Sequence, residues 1–384
     1  MNFEFATAAR IVFGPGAASQ LGRFAGDLGG SRPLIVTGRN PARASNLVKQ
    51  LVSAGMQPSM FPIDGEPTIE QVREGAAKAR TADMVISIGG GSAIDGGKAI
   101  AALATNSGDV LEYLEVIGHG QPLARAPLPF IAVPTTAGTG SEVTRNAVLG
   151  SHEHGVKASL RSPLMLAKTA IVDPELTIDL PPEITASTGL DALTQLIEPF
   201  VTHRANTMTD AFCRDGLHRA SVFLPRAYKN GSDREARENM SQASLFGGLA
   251  LANAGLGVVH GFAAPIGGMF ANAPHGAVCA ALLPAGMEMN IRALRSRAPE
   301  DPSLGRYGEI ARILTGDAAA IPEDGAGWVR RLCTELRIAP LRDYGIEQRH
   351  VHDLVEKASR ASSMKANPIV LSEEELTAVL ESAL

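Results

Sequence analysis

The sequence predicts two architectures in one chain: an α/β fold built on a parallel sheet over residues 1–180, and an all-helical part over residues 181–384. Three observations carry that reading. In the first half, short runs rich in branched residues alternate with helical patterns, and each run is bounded by Gly, Pro or Asp. Strands that alternate with helices pair in parallel and are covered on both faces. After Ile171-Val172-Asp173-Pro174 the strand pattern fades and long helical windows take over.

Arg32-Pro33-Leu34-Ile35-Val36-Thr37 reads as a buried strand, followed by a helix through residues 42–54. Residues 84–88 (Met-Val-Ile-Ser-Ile) form a second such run and residues 130–133 (Phe-Ile-Ala-Val) a third. In the second half, either Pro181-Pro182 or Ser187-Thr188 starts the first helix. Further helical windows cover residues 210–224, 235–254 and 373–384. No internal repeat or low-complexity tract stands out.

A chain of 384 residues is long enough for two or three domains. With 45% hydrophobic and 20% charged residues it is globular rather than disordered. The formal net charge of −5 speaks against a broadly basic surface, so no nucleic-acid partner is expected. Cys213, Cys279 and Cys333 lie far apart with no CxxC pair, which excludes a disulfide framework and a zinc knuckle and fits a reducing compartment. The longest small-apolar stretch, residues 247–259, is too short and glycine-rich to span a membrane. The opening MNFEFATAAR has neither a basic start nor an apolar signal core. A cytoplasmic enzyme with no membrane partner is expected.

The strongest local signal is Ile88-Gly89-Gly90-Gly91-Ser92-Ala93-Ile94-Asp95-Gly96-Gly97-Lys98. It follows a strand and opens a helix, so backbone N–H groups and the helix N-terminus face an anion there. It is not a Walker A loop, because the glycine–lysine spacing is wrong and Ala99 stands where Ser or Thr is needed. Nor is it GxSxG, since Ile94 occupies the second glycine's place. A tight strand-to-helix turn without a ligand is the plainer alternative. A second loop, PTTAGTGSE at residues 134–142, follows the third strand with hydroxyls suited to ribose and phosphate, although Ser141 or Thr139 would serve equally as a helix cap. Gly14-Pro15-Gly16 lacks the last glycine of GxGxxG and reads as a structural turn. Two phosphate-friendly loops after strands of one sheet mark a Rossmann-like, dinucleotide-binding domain.

In the helical half, Asp191 and Gln195 stand four apart and so share one helix face. His260 lies in GVVHGF and His275 in APHGA. One carboxylate with two imidazoles suits Fe²⁺ or Zn²⁺, whereas a histidine alone in an apolar setting is commonly a satisfied core residue. His152, His154, His350 and His352 lie in polar stretches read as exposed, and His119, His203 and His218 show no clear partner.

These motifs together resemble the iron-containing, group III alcohol dehydrogenase family. The resemblance rests on IVFGPG at 11–16, the GGGSAID loop, PTTAGTGSEVT at 134–144, AIVDP at 170–174, STGLDAL at 187–193 and the segment around Pro274-His275-Gly276. It implies an oxidoreductase with hydride transfer between NAD(P) and a small alcohol, aldehyde or keto compound, in a cleft between a dinucleotide-binding domain and a helical metal-binding domain. It puts Gly90, Gly91, Ser92, Asp95, Thr135, Thr136 and Thr139 beside the cofactor, and Lys157 near the nicotinamide ribose. Asp191, His260 and His275 fall on metal-ligand positions, where they serve catalysis, and Gln195 stands where the family usually has a ligand histidine. Ala264 replaces a further common histidine, so protons travel instead through water and ribose hydroxyls.

Many relatives carry an acidic residue after the strand that ends at Thr37, which receives the ribose 2′-OH and disfavours a 2′-phosphate. Here the position is Gly38, followed by Arg39, a charge-assisted partner for phosphate, so NADP(H) is expected over NAD(H). The resemblance further implies a homo-oligomer, most simply a dimer. A maleylacetate-reductase-like activity is the nearest alternative, since such relatives share the GGGS loop and lose parts of the metal set. A metal-free nucleotide-binding protein without turnover is another.

Overall fold

The computed structural model describes residues 2–151, 153–178 and 180–384. His152, read above as exposed, lies outside the described residues. The strands of the first half are β1 (Ile11–Phe13), β2 (Pro33–Thr37), β3 (Ser59–Pro62), β4 (Met84–Gly89), β5 (Phe130–Pro134), β6 (Asn146–Ser151), β7 (Val156–Arg161) and β8 (Thr169–Val172). Six of them form one parallel sheet in the order β1-β8-β5-β4-β2-β3. The central strands β2, β4 and β5 are buried throughout, which is why they read as continuous apolar runs; β8 is buried likewise but falls where the sequence marks only the end of the strand pattern. The edge strands β1 and β3 are short, β1 only part-buried and β3 exposed at both ends, so neither makes an apolar run long enough to announce a strand.

Helices α1 (Leu21–Asp27), α2 (Ser45–Ser53), α3 (Ile69–Ala79), α4 (Gly91–Leu103) and α5 (Val110–Tyr113) accompany the sheet. Leu21, Phe24 and Leu51 of α1 and α2 pack with Ile35, Ile86, Ile131 and Ile171, one residue from each of four neighbouring strands. On α4, Gly97 meets Ser87 of β4 so closely that a Cβ would fall 1.9 Å from Ser87 Oγ. A bare backbone is what allows that helix to lie against its strand. The order of strands reverses between β2 and β4, because the chain first runs outward to β3 and then returns to the other side. Strand C-termini at such a switch point form the crevice that doubly wound sheets use for ligands. β6 and β7 make a separate antiparallel hairpin.

The second half is helical: α6 (Pro182–Val201), α7 (Thr207–Lys229), α8 (Arg234–Ala254), α9 (Val258–Met269), α10 (His275–Arg297), α11 (Pro302–Thr315), α12 (Pro322–Glu335), α13 (Val351–Ser359) and α14 (Glu373–Glu381). The start of α6 falls at Pro182, the earlier of the two candidate sites, where a proline's missing N–H costs the first turn nothing. Asn206, Asp233, Asp301 and Ser372 cap α7, α8, α11 and α14 with side-chain oxygens. Among the described residues α10 is long and apolar enough to cross a membrane, but 83% of its most apolar window is buried within the protein.

By contact the chain divides into two compact units, and the division is not at one point. The α/β unit comprises residues 6–136 and 140–178; the helical unit takes residues 180–384 together with 2–5 and 137–139. Expectation had assigned those two short segments to the first domain. Ala137 packs into the helical core, and Gly138 lies against Thr188 of α6, where a Cβ would meet Thr188 Cβ at 2.7 Å.

Candidate active site

Every residue from 189 to 201 of α6 is buried, so its polar side chains need partners inside the protein. Gln195 Nε2 donates to Asp191 Oδ2 at 3.0 Å. Asp191 Oδ1 and Gln195 Oε1 are buried without a hydrogen-bond donor. The Gln195 carbonyl faces α8, since a Cβ on Gly247 would lie 3.6 Å from its Oε1. The amide nitrogen of Gln195, expected among the metal ligands, is thus engaged by Asp191, while its carbonyl oxygen carries no hydrogen bond.

α8 ends at Ala254 and the chain bends by 97° into α9. Gly257 stands at this corner because a Cβ would lie 2.8 Å from Asn367 Oδ1 and 3.0 Å from Glu198 Oε1. Without one, Asn367 Oδ1 accepts from Val258 N at 3.0 Å and Glu198 Oε1 from Val259 N at 2.7 Å. Two residues distant in sequence therefore cap α9. The second oxygen of Glu198 accepts from His260 Nδ1 at 2.7 Å. That bond fixes the tautomer, and His260 Nε2 is left buried and unpartnered 3.4 Å from Asp191 Oδ1.

His275 opens α10, with Nε2 3.8 Å from Asp191 Oδ1. It is the accessible member: its side chain is 31% exposed, against 2% for Asp191 and 6% for His260. Cys279 follows one turn later with Sγ 3.7 Å from His275 Nε2. One donor atom each from Asp191, His260, His275 and Cys279 lies within 4.8 Å of all the others. Cys279 was absent from the expected set, although its four-residue spacing from His275 is the signal that marked Asp191 with Gln195.

These residues fit a divalent ion. Oxygen and nitrogen donors about 2.1 Å from a tetrahedral metal are about 3.4 Å apart, close to the separations found. The orphaned oxygen of Asp191 and nitrogen of His260 are the atoms an ion would satisfy. Burial alone would push the Asp191 carboxyl up, yet His260 and His275 hold it below its ordinary value. Burial would push His260 down, and Cys279, Asp191 and Glu198 instead raise it well above. The surroundings favour positive charge.

In the α/β unit the two glycine- and hydroxyl-bearing loops meet. Gly90 is the N-cap of α4 and has no side-chain cap, so the first turn of that helix offers N–H groups to a ligand. Thr135 N donates to Gly89 O at 2.9 Å, and a Cβ on Gly90 would lie 3.3 Å from Thr136 Oγ1. Gly90, Gly91, Ser92, Thr135 and Thr136 are part-exposed there. Gly38 follows the neighbouring strand with open space around it. Arg39 is paired with Asp64, a carboxylate after β3 that sequence reading passed over.

Other expected cofactor residues are placed differently. Asp95 is held within the unit: Ser141 Oγ donates to one oxygen, Val148 N to the other at 2.9 Å, and Lys98 Nζ lies 3.0 Å away. Its observed role is to anchor β6 to α4. Ser141 accordingly reaches Asp95 and does not act as a side-chain cap. Thr139 belongs to the helical unit. Lys157 on β7 has a nearly buried side chain, 3.4 Å from Glu66 Oε1. Two histidines read as partnerless have partners: His119 lies 3.3 Å from Glu112, and His203 2.9 Å from Pro368 O.

A family profile described as "Iron-containing alcohol dehydrogenase" matches residues 8–174, and one described as "Fe-containing alcohol dehydrogenase family, C-terminal" matches residues 185–384. The chain is similar to 1,3-propanediol dehydrogenase of Klebsiella pneumoniae, 35% identical over 381 residues that cover 97% of this chain and 96% of that one. Among solved structures it is similar to a 1,3-propanediol oxidoreductase, with TM-score 0.92, 32% identity and 100% of both chains covered. Sulfoacetaldehyde reductase from Bifidobacterium kashiwanohense, solved in complex with NAD⁺, matches with TM-score 0.87 and 29% identity over 100% of this chain and 99% of that one.

Proposed function

Because the chain belongs to the iron-containing alcohol dehydrogenase family, we propose that Asp191, His260 and His275 hold its catalytic ion and that residues 90–92 with Thr135 and Thr136 hold its cofactor's diphosphate. The protein is a metal-dependent, NAD(P)-linked oxidoreductase that acts on a small alcohol or aldehyde. The observation carrying the residue assignment is the pair of buried, unpartnered atoms Asp191 Oδ1 and His260 Nε2, 3.4 Å apart.

When bound, the ion polarises the substrate oxygen and the nicotinamide gives or takes the hydride. Glu198 holds a proton of His260 on Nδ1, so Nε2 is the nitrogen that would hold the ion, its own proton being displaced on binding. Gln195 orients Asp191 in the same way from the other side. Substrate approaches from the side of His275, the exposed member. The ligand set suits Fe²⁺ or Zn²⁺. Ala264 offers no donor, so proton exchange would need water or the hydroxyls of the cofactor's ribose.

NADP(H) is the proposed cofactor. Arg39 and Asp64 are 79% and 69% exposed, and such a pair is worth about 0–1 kcal/mol. A charged hydrogen bond to a 2′-phosphate, at about 1.5–3 kcal/mol, outweighs it. Open space at Gly38 admits the phosphate. Asp95, Thr139 and Lys157 remain proposed cofactor-side residues on the family resemblance, with Asp95 acting through the loop it anchors. The resemblance also supports a homodimer, which sedimentation at the mass of one chain would overturn. The three free cysteines support a reducing, cytoplasmic setting.

The test pairs elemental analysis with NADPH oxidation by a panel of aldehydes and keto acids. The expected result is a stoichiometric divalent ion and turnover, both lost in His260→Ala. A protein that turns over after complete metal removal would refute the assignment.

A further inference from the structure

We propose that the Cys279 thiolate is the fourth protein ligand of the metal, taking the place that Gln195 leaves open; this rests on the Asp191–His260–His275 reading above. Gln195 gives its nitrogen to Asp191, which leaves only its carbonyl oxygen, buried without a hydrogen-bond donor, and a neutral amide oxygen is a weaker donor than a thiolate. Cys279 is buried on α10, one turn from His275, and the two side chains lie on one helix face. Its Sγ is 3.7 Å from His275 Nε2. With sulfur about 2.3 Å and nitrogen about 2.1 Å from a tetrahedral ion, that edge is about 3.6 Å.

Charge argues the same way. A carboxylate and a thiolate together neutralise a divalent ion, and an interior site holds a neutral cluster at far less cost than a charged one. A neutral amide supplies no such compensation. The other cysteines lie elsewhere: Cys213 sits on α7, and Cys333 on α12 directs its thiol to Ala280 O at 3.4 Å. With four protein donors holding the ion, the exposed flank of His275 would remain the approach for substrate. A sulfur donor makes the set softer and biases it toward Zn²⁺ over Mn²⁺.

The test exchanges Co²⁺ into the full chain and records metal stoichiometry and the near-ultraviolet spectrum, in which a sulfur-to-cobalt charge-transfer band reports a thiolate ligand. The wild-type protein is expected to bind stoichiometric Co²⁺ with that band. Cys279→Ser should lose the band and weaken Co²⁺ binding at least roughly tenfold, the loss that even an outer-shell partner's removal causes. Stoichiometric Co²⁺ without the band in the wild-type protein would overturn the thiolate ligand and leave the three-donor centre standing. A band that persists in Cys279→Ser would overturn it too, by placing the sulfur elsewhere. Failure of the wild-type protein to bind Co²⁺, Zn²⁺ or Fe²⁺ would instead remove the metal centre beneath the proposal, and the proposal with it.

Discussion

Glu198 accepts the Nδ1 proton of His260 at 2.7 Å, and its other oxygen caps Val259 N at the same distance. One carboxylate therefore sets both the ring's tautomer and the start of the helix that carries it. Replacing Glu198 by Gln leaves a single acceptor oxygen for two donors. Metal affinity is expected to fall roughly 10–100-fold, measured by competition with a chromogenic chelator, while far-ultraviolet circular dichroism stays that of the wild type. Unchanged affinity would show that His260 needs no such partner.

Gly257 is the space through which Glu198 and Asn367 reach α9. Gly257→Ala introduces a Cβ 2.8 Å from Asn367 Oδ1, so both caps must retreat. Losing two capping bonds should cost about 2 kcal/mol and lower metal affinity together with the thermal midpoint. Gly305→Ala, on α11 with nothing within 4 Å of the added carbon, is the control: it should leave metal affinity unchanged and raise the thermal midpoint slightly, as alanine for glycine does in a helix.

The proposed preference for NADP(H) rests on Arg39 and its partner Asp64. Arg39→Ala should weaken NADPH binding by about 1–3 kcal/mol and spare NADH. Asp64→Asn removes the carboxylate that competes for Arg39 and should tighten NADPH, and Gly38→Asp should cut NADPH efficiency far more than NADH. Isothermal titration with both cofactors reads the first two, and steady-state kinetics the third. Equal effects on the two, or a wild-type preference for NADH, would show that this corner does not sense the 2′ position.

Glu142 is buried beside Lys98, and burial pushes its carboxyl up to about 7 from an ordinary 4.5. A carboxyl raised on folding contributes its stability in the protonated form. That contribution is complete below pH 4.5 and is lost as pH rises through about 7. Glu142→Gln should therefore stabilise the α/β unit above neutral pH, by up to about 3 kcal/mol, and change nothing near pH 4. Thermal midpoints across that range check the sign. A variant destabilised at pH 8 would mean that the charged form is the favoured one.

The parts of this protein that were legible in the sequence are those governed by local rules. Strands β2, β4 and β5 announced themselves because burial on both faces demands unbroken apolar runs, and the glycine loops because they follow such runs directly. Asp191, His260 and His275 were identified through the family resemblance, and the structure gathers them. Glu198 was invisible because its partner lies 62 residues away and nothing local distinguishes it from any helical glutamate. Asp64 was passed over for a related reason: it meets Arg39 only because β3 pairs with β2. The β6–β7 hairpin alternates buried and part-buried residues without a continuous apolar run, and it escaped for that reason. Cys279 was legible and missed, since its spacing from His275 repeats the one already used on α6.

The most direct measurement of the central claim is metal content and NADPH-dependent aldehyde reduction on one preparation, before and after exhaustive chelation and then after readdition of Zn²⁺ or Fe²⁺. The account predicts that activity falls in proportion to metal lost, returns on readdition, and never returns in His260→Ala. Full activity in protein with no detectable metal would contradict it.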